Sequence, residues 1–277
     1  MELQTTVQMP EYDFRFSTTD KMLLVGSCFA DSIGRKFCQE AFCATVNPDG
    51  VMYNPVSVCH CVERHADETP TRVVITLGTN HVYRLRETGE IVDNCEKRPQ
   101  RLFSEEELTT EECTQWLLKA VDLLAQKRPD VRVLLTVSPI RYAKYGYHGS
   151  QLSKATLLLA ADRVVRSRSC CAYFPAYEIV NDELRDYRFY APDMLHPSPQ
   201  AVDYIWERMA DALLSDDARQ WLQEWKPVRQ ALDHRPFDAQ SEAYRQFRRQ
   251  TLEKAARLAR RWPQIDLNKI LRKCHTQ

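Results

Sequence analysis

The sequence predicts an α/β fold with a parallel sheet, and three observations support it. Short apolar runs alternate with longer stretches of helical periodicity, so successive strands must be joined by crossovers. The first run, Met22-Leu23-Leu24-Val25, stops at Gly26-Ser27, and Phe29, Ile33, Phe37 and Ala41 follow at intervals of four. The 277 residues are 44% hydrophobic, with 38 basic against 38 acidic side chains. That is enough apolar material for one large or two small cores, and no global charge bias marks a polyanion partner.

Strands are expected over 21–27, 44–47, 73–77 and 131–138, with a weaker one at 171–174. Gly26 permits the sharp turn at the end of the first run, because a Cβ there would obstruct it. Residues 28–42 form the first helix. Asn54 is suited to cap the next, with Pro55 at its first position. Two short strands, 81–86 and 91–94, form a β-hairpin around Glu87-Thr88-Gly89-Glu90 and are placed to wall one side of a cleft. A long helix is read over 105–126, begun by the capping-box pair Ser104 and Glu107 and carrying Leu117, Leu118, Val121 and Leu124. Ser198-Pro199 opens another, with Val202, Ile205, Met209 and Leu213 as its core stripe. Residues 1–215 therefore read as the α/β core. Residues 216–277 read as a helical extension in which ten Lys/Arg face three Asp/Glu from Ser241 onward. Leu252, Ala255, Ala256, Leu258 and Ala259 would lie on the core or on a second copy of the chain.

Ser27 stands where a strand hands over to a helix N-terminus, a position that exposes a hydroxyl to free N–H groups able to face developing negative charge. Far downstream, Asp193-Met194-Leu195-His196 places a carboxylate and an imidazole three residues apart. Together they supply the members of a Ser-His-Asp hydrolase: Ser27 as nucleophile, His196 as base, and Asp193 to hold the imidazole tautomer. Each half also has a plainer reading, since Gly-Ser before a helix serves as an N-cap and Asp and Pro punctuate turns.

The segment LLVGSCFADSIGRKF resembles the signature of the GSCFA family, an offshoot of the SGNH (GDSL-like) hydrolase superfamily. Tyr53-Asn54-Pro55, Ile75-Thr76-Leu77-Gly78-Thr79, Asn94-Cys95, Thr136 to Arg141, Leu152-Ser153-Lys154-Ala155-Thr156 and Asp193 to Ser198 agree with it, from about residue 1 to about 210. The resemblance implies a three-layer α/β/α, flavodoxin-like core and an esterase or acyl-hydrolase activity, the extension lying outside it. It carries the nucleophile onto Ser27 and the last block onto Asp193 and His196. Gly78-Thr79-Asn80 matches the Gly-x-Asn block whose Asn side chain donates to the oxyanion. The block expected to add a Gly backbone N–H is altered here: Gly50 lies upstream of Val51-Met52-Tyr53-Asn54-Pro55, and the backbone N–H of either Gly50 or Asn54 is the candidate donor. The oxyanion positions are thus Ser27, Asn54, Gly78 and Asn80. Asn94 sits in a motif where His is expected at the position of Glu96.

Arg141, beyond the fourth strand, suits a substrate carboxylate or phosphate, or an ion pair with an acid such as Asp162. Arg84 and Arg86 read as solvated strand charges. Cys28 rivals Ser27 as nucleophile, because a helix N-terminus lowers a thiol pKa. Adjacent side chains do not both reach one imidazole, however, and the resemblance favours Ser27. Cys59-His60-Cys61 lacks a metal-binding spacer and lies on a helix, so no metal or other cofactor is expected. With no leader-like or membrane-spanning segment, the ten cysteines read as reduced thiols of a cytoplasmic protein. The expected partner is a small-molecule or carbohydrate ester and not nucleic acid, for which no motif is present. The expectation is an SGNH-like serine esterase acting on an O-acyl ester, with an acylated carbohydrate among the candidates. Acyl transfer through the same acyl-enzyme and a non-catalytic binding role stay open.

Overall fold

A computed structural model describes residues 5–96, 98–234, 236–238 and 240–267. In chain order the elements are β1 (Lys21–Gly26), α1 (Cys28–Gln39), β2 (Cys43–Val46), α2 (Pro55–His65), β3 (Arg72–Leu77), β4 (His81–Leu85), β5 (Ile91–Val92), β6 (Phe103–Glu107), α3 (Thr110–Lys127), β7 (Arg132–Val137), α4 (Gly146–Ser167), β8 (Cys171–Tyr173), the single turn α5 (Ala176–Glu178), α6 (Pro199–Leu213), α7 (Asp216–Asp233) and α8 (Glu242–Arg261).

Five strands form an all-parallel sheet in the order β2-β1-β3-β7-β8. Its register explains why the apolar runs are continuous. Leu24 stands beside Val74, and Val74 beside Leu134, on one face; Leu23 beside Val73 and Val73 beside Val133 on the other. Successive side chains point to opposite faces, so a strand covered on both sides has no polar alternation. The Leu24 face packs on Phe29, Ile33 and Phe37 of α1, Ile205 and Met209 of α6, and Trp221 and Trp225 of α7. The Leu23 face packs on Val58 and Val62 of α2, Leu117, Val121 and Leu124 of α3, and Leu157 and Ala161 of α4. The result is the three-layer α/β/α architecture expected from the sequence. Phe37 is the hub of one layer, with the rings of Phe16, Phe42 and Trp206 centred 5.8, 5.4 and 4.8 Å from its own.

The first helix stops at Gln39 rather than at 42, because Glu40 caps it and Ala41 turns left-handed at φ +64°, and a second expected boundary is wrong outright. Residues 103–107 are not the start of the long helix but strand β6, paired antiparallel with β4 so that Tyr83 faces Glu105. The helix begins at Thr110, and its capping box is Thr109 with Glu112. Two capping-box patterns lie five residues apart. The buried stripe Cys113, Leu117, Ala120, Val121 and Leu124 has no apolar continuation one turn earlier, so only the second can open a packed helix. The expected hairpin accordingly gains a third strand, in the order β5-β4-β6.

Ser198 caps α6 with Pro199 in its first turn, as read from the sequence. In α7, the Trp221 indole donates to the Glu40 carbonyl at 2.6 Å and the Trp225 indole to the Gln39 carbonyl at 3.0 Å. Helix α8 buries Thr251 and Ala255. The end of the basic stretch, including Lys269, Arg272 and Lys273, lies outside the described residues. Among the described residues no helix is long and apolar enough to cross a membrane.

Candidate active site

The sheet order reverses direction between β1 and β3, because α1 leads left to β2 and α2 leads back to β3 on the other side. In such sheets ligands bind in the crevice beyond the carboxyl ends of the strands at the reversal. Ser27 follows β1 and Gly78 follows β3, so both stand at that crevice. Gly26 has φ +138°, and a Cβ on it would run into the Thr76 carbonyl of the neighbouring strand. Only glycine lets the two backbones meet there. Ser27 then leaves the sheet in extended conformation and caps α1, its Oγ accepting from the Phe29 N–H at 3.3 Å. The same Oγ lies 3.0 Å from Thr76 Oγ1, and Ser27 is fully buried.

The acid–imidazole pair forms. Met194 adopts a left-handed φ of +58°, tightening the turn. Asp193 Oδ1 accepts from the N–H groups of Leu195 (2.9 Å) and His196 (3.0 Å), and Oδ2 lies 2.6 Å from His196 Nδ1. These two backbone bonds, followed by the His196 ring, pull the Asp193 carboxyl down to about 2. With Nδ1 engaged, Nε2 is the ring nitrogen that Asp193 does not hold. The loop docks at the carboxyl end of β7: the Arg141 N–H donates to the Leu195 carbonyl at 3.0 Å, and its guanidinium to the Met194 carbonyl at 3.0 Å. Asp193 and His196 side chains are each 45% exposed, and among the described residues no hydrogen bond joins His196 to Ser27.

Of the four positions read as oxyanion donors, Gly78 lies against Ser27, and the donors at all four are engaged in other bonds. The Ser27 N–H donates to the Thr76 carbonyl at 3.0 Å and the Gly78 N–H to the Tyr53 carbonyl at 3.0 Å. Asn54 caps α2, its backbone N–H donating to Ser57 Oγ at 3.3 Å and its Oδ1 accepting from the Ser57 N–H. Asn80 Nδ2 donates to the Leu108 carbonyl at 2.8 Å, and its buried Oδ1 has no partner among the described residues.

Beside Gly78 opens a cavity of about 380 Å³ between the core and the three-stranded sheet. Tyr53, Asn54, Thr79 and Tyr142 line its core side, and Tyr83 and Phe103 the sheet side. Asn94 lines it too, its Oδ1 accepting from the Glu96 N–H at 2.9 Å. The His81 ring stacks on Tyr145 with centroids 3.6 Å apart.

Sequence reasoning gave no role to Tyr142 or Lys154. Lys154 is buried, and its Nζ donates to the carbonyls of Gly78 (2.6 Å) and Ser138 (2.8 Å), tying together the carboxyl ends of β3 and β7. Burial pulls its ammonium down to about 7. The signal was present: a lysine three and seven residues before Leu157 and Ala161 lies on the apolar face of its helix. Tyr142 packs its ring 5.1 Å from that Nζ.

Arg141 forms no ion pair with Asp162, which pairs with Arg166 instead; its guanidinium lies over Tyr147 at 4.2 Å. Burial raises the Cys28 thiol against a hydrogen bond from Tyr53, so the helix N-terminus does not make it a ready thiolate. In Cys59-His60-Cys61 the side chains diverge, with Cys59 beside Glu63 and His60 Nδ1 2.7 Å from Asp93. Cys61 offers its sulfur within 4.8 Å of ligand atoms of Asp49 and His65, but the Arg64 guanidinium already bonds Asp49 at 2.7 Å.

The GSCFA family profile matches residues 21–72 and 65–209, and a profile described as GSCFA domain protein, C-terminal domain, matches 225–277. No curated protein matches the chain. Among solved structures, a GDSL-like lipase from Bacteroides thetaiotaomicron is similar at 13% identity, covering 70% of this chain and 87% of that one, with a TM-score of 0.47. A family 3 carbohydrate esterase from Clostridium thermocellum is similar at 13% identity over 74% and 98%, TM-score 0.42. One from Talaromyces cellulolyticus is similar at 10% over 75% and 99%, TM-score 0.42.

Proposed function

Because the chain belongs to the GSCFA family, whose profile spans most of it, we propose that it is an SGNH-type serine hydrolase cleaving O-acyl esters through Ser27, His196 and Asp193. The observation that carries this reading is the preformed Asp193–His196 pair, at 2.6 Å, docked on Arg141 at the carboxyl end of the same sheet that presents Ser27 on a helix N-terminus. In the proposed reaction Ser27 Oγ turns from Thr76 toward His196 Nε2, gives up its proton there and attacks the ester carbonyl. His196 passes that proton to the departing alcohol, and water then releases the acid by the reverse route. Asp193, ionised down to about pH 2, stabilises the imidazolium throughout. A sugar hydroxyl in place of water would make the same acyl-enzyme an acyltransferase. The aromatic and polar walls of the neighbouring cavity suit a carbohydrate portion of the ester.

One observation favours a second reading, a non-catalytic SGNH-like binding protein: Ser27 is buried and bonded to Thr76 rather than to His196. A panel of acetylated sugars and short-chain aryl esters separates the two. Hydrolysis lost in folded Ser27→Ala and His196→Ala supports catalysis. No released acid from any ester, or full activity in folded Ser27→Ala, removes it.

A further inference from the structure

We propose that the hydroxyl of Tyr142 is a hydrogen-bond donor to the carbonyl oxygen of the reacting ester, placed against Gly78 on the same side as Ser27; the inference rests on the ester-hydrolase reading. Three observations converge on it. The Tyr142 hydroxyl is buried and has no hydrogen-bond partner among the described residues, although the residue lines the cavity. Buried polar groups are nearly always paired, so an orphaned donor on a residue that both lines a cavity and stands close to a candidate nucleophile points to a ligand atom. Its position is fixed. A Cβ on Gly78 would collide with this hydroxyl and would stand 3.4 Å from Ser27 Cβ, so the absence of a side chain at Gly78 gives the phenol its place next to Ser27. The ring is held from three sides, by the Lys154 Nζ beneath it, the Tyr145 ring 6.0 Å away, and a backbone bond from the Tyr142 N–H to Ser150 Oγ at 3.2 Å.

Most of the donors expected for the oxyanion are committed to other bonds. The N–H groups of Ser27 and Gly78 and one N–H of the Asn80 amide are spent on Thr76, Tyr53 and Leu108. Burial also raises the phenol well above its ordinary range, so it keeps its proton and can donate. As Ser27 Oγ bonds to the carbonyl carbon, the π pair moves onto the carbonyl oxygen and the serine proton goes to His196 Nε2. Tyr142 donates a hydrogen bond to that oxygen without transferring its proton. Collapse returns the pair to the carbonyl and expels the alkoxide, which takes the proton from His196. A donor fixed before the reaction is worth most where charge develops.

The test is Tyr142→Phe, which removes one oxygen and keeps the ring over Lys154. With an ester that the parent hydrolyses, kcat is expected to fall about 10²- to 10³-fold while KM stays within about threefold. Inhibition by an alkylboronic acid, which builds a tetrahedral anion on Ser27, should weaken in the same proportion; a purely structural role would not produce that parallel. A folded Tyr142→Phe variant with kcat within threefold of the parent, or with its loss confined to KM, overturns the proposal and leaves the hydrolase reading standing. A parent that hydrolyses no ester and takes up no boronate overturns both. If Tyr142→Phe does not fold, the boronate adduct of the parent decides: a boronate oxygen within about 3.2 Å of Tyr142 Oη supports the assignment, and Tyr142 turned away from the adduct refutes it.

Discussion

Replacing Lys154 by Met tests how the site is held together. The perturbation keeps the length and bulk of the buried side chain and removes the two N–H bonds to the Gly78 and Ser138 carbonyls. Leaving a buried carbonyl unpaired costs about 1–3 kcal/mol, so the two together amount to roughly 2–6 kcal/mol when the amine is neutral. Charge changes that figure in a defined direction. Burial lowers the folded-state pKa to about 7, while an unfolded lysine titrates near 10.4. Between those values the unfolded chain holds one more proton than the folded one, so this group's contribution to stability rises with pH at up to about 1.4 kcal/mol per unit. Below about pH 7 both states are protonated and the contribution is flat at its lowest. The parent should therefore exceed Lys154→Met in stability by the most near pH 10, and the gap should shrink as pH falls to 7. Urea unfolding at a series of pH values, under reducing conditions and followed by the fluorescence of buried Trp221 and Trp225, measures it. A gap that is constant with pH, or that widens as pH falls, would refute the account of Lys154 as a buried amine serving two carbonyls.

Two further expectations follow from the geometry. Phe37→Ala empties the centre of a four-ring cluster and should cost about 3–5 kcal/mol in denaturant unfolding; a loss under 1 kcal/mol would mean that the layer repacks around the hole. Asp193→Asn presents an amide to His196 Nδ1 in place of a carboxylate and should lower kcat on a hydrolysed ester by about 10²- to 10⁴-fold, with the fold intact by circular dichroism. Since Asp193 stays ionised to about 2, its protonation should leave no inflection in the pH–rate profile above pH 4.

What the sequence disclosed and what it hid divide along physical lines. Strands buried on both faces announce themselves as unbroken apolar runs, so Met22 to Val25, Val73 to Leu77 and Val131 to Val137 were legible. The Gly26-Ser27 handover and the Asp193–His196 spacing were legible because both are local geometry, set by one positive φ and one three-residue turn. The three-stranded sheet was not fully read. Phe103 and the Ser-Glu-Glu-Glu run after it look like the first turn of a helix until a strand 20 residues upstream needs a partner. Lys154 and Tyr142 escaped for a different reason. Their meaning comes from Gly78, 76 and 64 positions away in the chain, and no periodicity records a contact of that kind. The same is true of the Asn80 amide, whose partner Leu108 lies at the foot of that misread strand.

The central claim is that one hydroxyl, Ser27, carries the acyl group. It is tested most directly by treating the protein with a fluorophosphonate and mapping the adduct by peptide mass spectrometry. A single phosphonylated site is expected, on the peptide containing Ser27 and absent in His196→Ala. Failure to label under conditions that inactivate a control serine hydrolase, or a modification on Cys28 in its place, would contradict it.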